Sequence, residues 1–203
     1  KKVHPMLMTR GVPGTHDIEL AVNTIKSLAS GIKTKITRFD KSIDDRISNQ
    51  VEMSEDEIGV IVIEGWCFGA EPQFENQLIT PVNELERLKD PDGTCRRYIN
   101  NALATSYPKL FKMAHSTIML RAPDFDSVFE WRLEQEEKLI EKLKLTQDRL
   151  VGMNVMSKEE IFEFIQSFQR ITETCIERMP AKVNHLLQLD PQREIIEYRT
   201  LNP

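Results

Sequence analysis

Residues 61–72 read Ile61-Val62-Ile63-Glu64-Gly65-Trp66-Cys67-Phe68-Gly69-Ala70-Glu71-Pro72, and here an apolar run ends abruptly in a carboxylate and a glycine. We predict a buried strand over residues 58–63 that presents Glu64 and Gly65 at its carboxyl end. In open parallel sheets, ligands lie just beyond the carboxyl ends of the strands, where a close backbone needs glycine and a metal ion needs oxygen ligands. Glu64 is therefore the first candidate magnesium ligand, although a strand that merely ends in a charged residue would read the same way.

The composition narrows the class of protein. The chain has 203 residues, 40% of them hydrophobic, which is enough to bury a sizeable core as a single domain. A formal net charge of -5 and a pI near 5.5 give no electrostatic reason to expect nucleic acid or an anionic membrane as partner. No apolar run approaches the roughly 20 residues that span a bilayer. The three cysteines have no C-x-x-C spacing, so we expect reduced thiols in a cytoplasmic protein.

Periodicity and capping residues predict helices that alternate with strands. Thr15-His16-Asp17 caps the first helix, and Ser157-Lys158-Glu159-Glu160 is a capping box that opens the last. The order predicts an α/β fold with a mostly parallel sheet. The predicted helices cover residues 18–28, 82–89, 96–111, 124–150 and 157–179, and the predicted strands cover residues 35–39, 58–63, 115–120, 186–189 and 194–198.

Five short sequence blocks follow one another in a distinctive order. Together they closely resemble the bacterial D-glycerate 3-kinase-like proteins, relatives of uridine kinase, phosphoribulokinase and bacterial pantothenate kinase among the P-loop kinases. The resemblance covers nearly the whole chain, and one departure from it is Cys95, where the family pattern has tryptophan. The blocks are Arg10-Gly11-Val12-Pro13-Gly14-Thr15-His16-Asp17, Arg38-Phe39-Asp40-Lys41-Ser42 with Asp44-Asp45-Arg46, Glu64-Gly65-Trp66-Cys67, Asp90-Pro91-Asp92-Gly93, and Trp131-Arg132-Leu133-Glu134-Gln135-Glu136.

The resemblance implies a P-loop-kinase-like α/β fold, with residues 1–203 as one domain and a lid helix over about 124–150. The eight glycines nevertheless form no G-x-x-x-x-G-K-[ST] motif, so the Walker A loop that cradles phosphates is absent from these residues. In the family this loop lies upstream of the block that begins here, with its strand central in the sheet. We therefore expect the chain to lack its N-terminal strands and the native polypeptide to extend before Lys1, which activity would require.

Phosphoryl transfer requires a metal ion on the phosphate oxygens, cations around the transferred group and a carboxylate near the acceptor hydroxyl. The resemblance implies ATP and Mg2+ as cofactors, with Glu64 as the metal ligand and Gly65 beside the nucleotide. Asp40 and Lys41, after the neighbouring strand, are the other catalytic candidates. A turn at the end of a strand with a solvated ion pair is the alternative for these two residues.

The long helix over 124–150 supplies a candidate nucleotide ligand. The resemblance implies that its start covers the phosphates, and Arg132 suits this position because guanidinium stays charged and bridges two oxygens. The alternative is a solvated face held by i,i+4 ion pairs, which we favour for Lys138.

Four residues are candidates for binding a small hydroxy-carboxylate acceptor: Arg10, His16, Arg46 and Trp66. Arg10 precedes a turn that leads into a helix N-terminus, where free N-H groups attract anions. Helix capping is the alternative for His16, pairing with Asp44 or Asp45 for Arg46, and simple packing for Trp66.

The sequence thus predicts a small-molecule kinase that transfers the γ-phosphoryl group of ATP to a hydroxyl of D-glycerate or a similar hydroxy acid. A pantothenate-like or nucleoside-like acceptor is the enzymatic alternative. A catalytically inactive nucleotide-binding regulatory or scaffold protein of the same fold is the alternative of a different class.

Overall fold

The structure, a computed structural model, describes residues 3–8, 10–40, 45–53, 58–145 and 156–201. Its helices and strands alternate along the chain, which confirms the predicted α/β class. Among these residues, no helix is both long and apolar enough to cross a membrane. The α-helices are α1 (Ile18–Ala29), α2 (Glu84–Lys89), α3 (Thr94–Thr105), α4 (Pro108–Phe111), α5 (Phe125–Leu145) and α6 (Lys158–Arg178), and the strands are β1 (Thr34–Asp40), β2 (Asp45–Met53), β3 (Ile118–Arg121), β4 (His185–Leu189) and β5 (Ile195–Thr200).

The helix ends follow the local signals in the sequence. Asp17 caps α1 by accepting a hydrogen bond from the Leu20 amide at 3.1 Å. The capping box at α6 is confirmed, because Ser157 accepts from the Glu160 amide and the Glu160 carboxylate accepts from the Ser157 amide. The single helix predicted over 96–111 is two helices, since Pro108 has no N-H to continue α3 and instead begins α4.

The strands form two separate sheets with mixed directions. β1 and β2 make an antiparallel pair, while β4 lies between β3, its parallel neighbour, and β5, its antiparallel neighbour. The sheets of the described residues are therefore less parallel than predicted. Connection length explains the difference, because short links join β1 to β2 and β4 to β5, whereas α5 and α6 intervene between β3 and β4.

The strand predicted over residues 58–63 is wrong for this structure. The segment belongs to neither sheet of the described residues, and the side chains of Val60 and Val62 are 79% and 85% exposed. A strand needs a neighbour that pairs with its N-H and C=O groups, and the described residues supply none there. The prediction also missed β2, which pairs with β1 through a register shift between Ile36 and Arg38.

The hydrophobic core lies where α1, α3 and α4 meet α6 and the β3–β4 pair. Cys67 and Ala70, which follow the candidate metal ligand Glu64, belong to the same buried cluster as Ile171 and Cys175 in the middle of α6. Buried members include Ile18, Val22, Cys67, Leu103, Tyr107, Met119, Ile171, Cys175, Val183 and Leu186.

Arg170 of α6 holds the irregular segment between residues 71 and 83. Its guanidinium donates two hydrogen bonds to the Glu86 carboxylate, at 2.7 and 2.6 Å, and both side chains are more than nine-tenths buried. It also donates to the carbonyls of Gln77 and Thr80, at 2.9 and 2.8 Å. Arg170 thus satisfies one carbonyl near the end of the short 3-10 helix Glu75–Leu78 and one carbonyl after it.

Arg96 of α3 donates hydrogen bonds to the two carbonyls that lie between those of Gln77 and Thr80. It donates to Leu78 O at 2.6 Å and Ile79 O at 3.2 Å, and it pairs with the fully buried Asp90 carboxylate at 3.0 Å. Asp90 in turn accepts from the Cys95 amide at 2.7 Å, which begins α3. In this chain the Asp-Pro-Asp-Gly turn therefore organises a helix start, and Cys95 is buried beneath it.

We predict that Arg170→Met lowers the free energy of unfolding by about 3–5 kcal/mol, because it leaves the buried Glu86 carboxylate without its cationic partner. Chemical denaturation measures this loss. Arg199→Met, which breaks an exposed pair with Glu197 in β5, is the control and should leave the stability nearly unchanged. Equal small losses in both variants would show that the buried pair does not hold the fold.

Candidate functional site

Trp66 joins two of the sequence blocks. Its indole Nε1 donates to Gly11 O at 2.8 Å, and its ring packs edge-to-face on Phe168 of α6 at 5.1 Å between centroids. The ring is 41% exposed, so it is partly available to a ligand as well. The loop of residues 10–17 therefore lies beside residues 64–66, as a site shared by the two blocks requires.

Glu64 and Gly65 are both exposed and come directly before this tryptophan. The described residues contain no group of three His, Cys, Asp or Glu side chains that could enclose a metal ion. A single accessible carboxylate still fits Mg2+, because this ion keeps several waters and is usually bound by one or two carboxylates together with substrate phosphates. The residues thus suit an ion that arrives with a nucleotide.

Two arginines are predicted to bind the acceptor. Arg10 belongs to the loop of residues 10–17, and Arg46 contacts that loop. The guanidinium carbon of Arg10 lies 5.3 Å from the ring centroid of Phe39 in β1. Arg46 of β2 pairs with Asp17 at 3.1 Å, while Asp45 accepts a hydrogen bond from the Arg46 amide. The predicted alternative named Asp44 or Asp45 as its partner. Asp44 lies outside the described residues, and the guanidinium reaches Asp17, the cap of α1.

His16 lies in the same loop and is held by Tyr107. Its Nδ1 is 2.6 Å from the tyrosine hydroxyl, which also accepts a hydrogen bond from the Gly14 amide at 3.0 Å. Burial lowers the pKa of His16 and raises the pKa of Tyr107 to about 12, so both side chains are neutral near pH 7. His16 can therefore act as a hydrogen-bond donor or acceptor but not as a fixed cation.

Asp40 and Lys41 are only partly located. Asp40 is the last residue of β1, is half-buried, and lies opposite Asp45 in the hairpin register. Lys41 lies outside the described residues, so its predicted role stays a prediction.

Arg132 and Lys138 of α5 both make pairs within their own helix. Arg132 lies 2.6 Å from Glu136, whose buried carboxylate also accepts from the Met156 amide at 3.0 Å. Lys138 pairs with Glu134 one turn away. This is the arrangement that the i,i+4 spacing favoured. Contact of Arg132 with a nucleotide would require its pair with Glu136 to open.

Tyr107 and Phe168 position His16 and Trp66, and neither residue was predicted from the sequence. Phe168 follows the apolar stripe of α6, so helical spacing could have identified it as a packing residue. Tyr107 stands in the break before Pro108 and gave no such signal. The thiol of Cys67 has its pKa raised to about 12 by burial, which excludes it as a nucleophile near neutral pH.

The curated proteins that the chain resembles are named as kinases. No family model matches the sequence. D-glycerate 3-kinase, chloroplastic, of Arabidopsis thaliana is 27% identical over 172 residues, which are 80% of this chain and 33% of that protein. An uncharacterized kinase of Schizosaccharomyces pombe, mug58, is 25% identical over 81% of this chain and 58% of its own length. The probable ATP-dependent kinase TDA10 of Saccharomyces cerevisiae is 23% identical over 82% and 56%.

A solved structure with a similar fold carries the same name as the first of these relatives. D-glycerate 3-kinase from Cryptococcus neoformans superposes with a TM-score of 0.75 at 23% identity, covering 99% of this chain and 72% of that one. The likeness shows that the two chains share a fold. The predicted resemblance to D-glycerate 3-kinase and related kinases is confirmed, and the chain spans between a third and about three fifths of the length of these curated relatives.

We predict that acidification destabilises the protein through His16. In the unfolded chain His16 takes up a proton near pH 6.5, whereas in the folded state burial lowers the pKa of His16. Below pH 6.5 the unfolded state therefore binds more protons than the folded state, and the folded state loses stability. The free energy of unfolding of the wild type, minus that of His16→Gln, should therefore fall between about pH 7.5 and pH 5.5. The other three histidines are unchanged between the two proteins, so their contributions cancel in this difference. A constant difference would show that the pKa of His16 is not lowered.

Proposed function

We propose that this protein is an ATP- and Mg2+-dependent small-molecule kinase that transfers the γ-phosphoryl group of ATP to a hydroxyl of D-glycerate or a similar hydroxy acid. The observation that carries the proposal is the hydrogen bond from Trp66 to Gly11. In a chain related to kinases, this bond joins the block with the candidate metal ligand, Glu64, to the block with the candidate acceptor ligands, Arg10 and His16.

The proposed chemistry gives a task to several of the candidate residues. Glu64 would hold Mg2+, and the bound ion would neutralise charge on the phosphates. Gly65 leaves room for a close approach of the nucleotide to the backbone. The guanidinium groups of Arg10 and Arg46 would bind the acceptor carboxylate, and Asp40 would place a carboxylate beside the acceptor or the transferred phosphoryl group. Residues 1–203 would act as one domain with α5 as its lid, where Arg132 would meet the phosphates.

An inactive nucleotide-binding regulatory or scaffold protein is the second candidate. Two observations favour it: the 203 residues contain no G-x-x-x-x-G-K-[ST] motif, and the charge of Arg132 is already paired with Glu136. Measurement of ADP release with glycerate, pantothenate and uridine distinguishes the two functions. The assay should use both this chain and the same chain with any residues that precede Lys1 in its reading frame. Turnover with glycerate supports the kinase, and nucleotide binding without turnover in either polypeptide supports the second candidate.

We predict that Glu64→Gln lowers kcat at least about tenfold at saturating ATP and shifts the magnesium requirement, because a metal ligand acts most strongly on charge in the transition state. Glu71→Gln is the matched control, since this nearby glutamate is already paired with Lys182. Its turnover should match that of the wild type. Unchanged turnover and magnesium dependence in Glu64→Gln would remove Glu64 from the site.

We predict that Arg10→Ala raises the KM for the carboxylate acceptor about tenfold to a hundredfold, with a much smaller change in the KM for ATP. A hydrogen bond to a charged group contributes about 1.5–3 kcal/mol, and each 1.4 kcal/mol is a factor of about ten. Steady-state kinetics at varied acceptor and varied ATP separate the two effects. Arg199→Ala in β5 controls for loss of a surface charge. The reverse pattern would move Arg10 to the nucleotide side.

A further inference from the structure

A cleft of about 330 Å³ lies between the loop that precedes α1 and the facing side of α3, and it is large enough for a small molecule. One wall consists of Gly14, His16 and the first turn of α1. The other consists of neutral polar side chains of α3 and the break before α4, among them Tyr98 and Asn101. The cleft thus combines apolar surface with neutral polar side chains that can form hydrogen bonds.

The charged residues along the cleft are carboxylates that already have partners. Asp17 accepts from the Leu20 amide and pairs with Arg46, and Glu19 pairs with Lys109. The lining contains no lysine or arginine of its own. An anionic group inside the cleft would therefore meet no free cation there, whereas hydroxyl groups would find both donors and acceptors.

Close packing fixes the loop against α3. Gly14 has φ +93°, and a Cβ there would lie 2.6 Å from a ring carbon of Tyr98. The Tyr98 hydroxyl donates to Gly14 O at 3.3 Å, and the Gly14 amide donates to the Tyr107 hydroxyl at 3.0 Å. Only glycine permits this approach, which brings His16 to Tyr107.

Counting hydrogens assigns the tautomer of His16. The oxygen of Tyr107 already accepts from the Gly14 amide, so its own hydrogen is available to the Nδ1 atom of His16 at 2.6 Å. If Nδ1 instead carried the proton, the hydroxyl hydrogen of this buried tyrosine would lose its acceptor. Nδ1 is then the acceptor, and Nε2 carries the proton.

We propose that Tyr107 holds His16 as the neutral Nε2-H tautomer, so that Nε2-H donates to a hydroxyl oxygen of a small polyhydroxylated compound in this cleft. Tyr107 is a positioning residue in this arrangement. The proposal rests on the proposed function only in taking that compound to be the acceptor, whose carboxylate would lie toward Arg10 and Arg46. Lowering of the His16 pKa by burial and the raised pKa of Tyr107 agree with a neutral pair.

Nitrogen NMR of histidine-labelled protein tests the tautomer directly. At about pH 7, multiple-bond proton–nitrogen correlation should show His16 protonated at Nε2 and bare at Nδ1. Tyr107→Phe should mix the tautomers and raise the pKa of His16. Tyr198→Phe is a matched control, because Tyr198 bonds Nδ1 of His185 at 2.8 Å in an exposed sheet and should leave the His16 signals unchanged. A wild-type His16 protonated at Nδ1 or at both nitrogens overturns the proposal, even if Tyr107→Phe fails to fold.

Ligand titrations test the chemical class. Glycerate and glycerol should shift the Nε2-H resonance of His16, whereas acetate and inorganic phosphate should not. His16→Phe should weaken glycerate binding about tenfold or more, and His16→Gln, whose side-chain N-H can replace Nε2-H, should recover part of it. Shifts produced only by acetate or phosphate, or equal binding by His16→Phe, overturn the proposal. If glycerate binds at His16 and the protein shows no turnover, the proposed kinase function is wrong and the inference about His16 stands. If the protein turns over and His16→Phe leaves the KM for the acceptor unchanged, the kinase function stands and the inference about His16 is wrong.

Discussion

The fold of this protein depends on how two buried arginines satisfy one irregular stretch of backbone. Arg170 and Arg96 donate to the carbonyls of four consecutive residues, 77–80, at and just after the end of the short 3-10 helix Glu75–Leu78. Each arginine also meets a buried carboxylate, Glu86 or Asp90. Buried ion pairs are costly to form and more costly to break, so they fix one arrangement of α2, α3 and α6. The side of α6 that carries Phe168 is held in place by this arrangement.

The candidate site is assembled on that frame through short, specific contacts. Phe168 packs against Trp66, Trp66 donates to Gly11, and the loop beyond Gly11 leads to His16. These links bring residues distant in sequence to one region without any long strand between them. Glu64 is exposed because the chain enters the core only after Trp66, at the buried Cys67. The geometry agrees with a site for a ligand that brings its own metal ion.

The sequence predicted best what depends on neighbours within one helical turn. The capping box at Ser157 and the cap at Asp17 form as expected, because their partners lie three residues away. The strand over 58–63 failed because an apolar run specifies burial but not a pairing partner. The partner of Arg46 was missed for a similar reason, since Asp17 lies 29 residues away and only the hairpin brings them together. The Tyr107–His16 contact spans 91 residues and left no local signal.

The attachment of the β1–β2 hairpin has a consequence for how the protein is assayed. The hairpin forms its own sheet, packs beside α1, and places Arg46 against the cap of that helix through a half-exposed ion pair. Mobile ions weaken such exposed pairs, with a screening distance of about 8 Å at physiological ionic strength and about 3 Å at 1 M. A purification or crystallisation buffer rich in salt therefore samples a different placement of this arginine from a dilute buffer. Any property of the protein that depends on the position of Arg46 is therefore comparable only between samples at matched ionic strength.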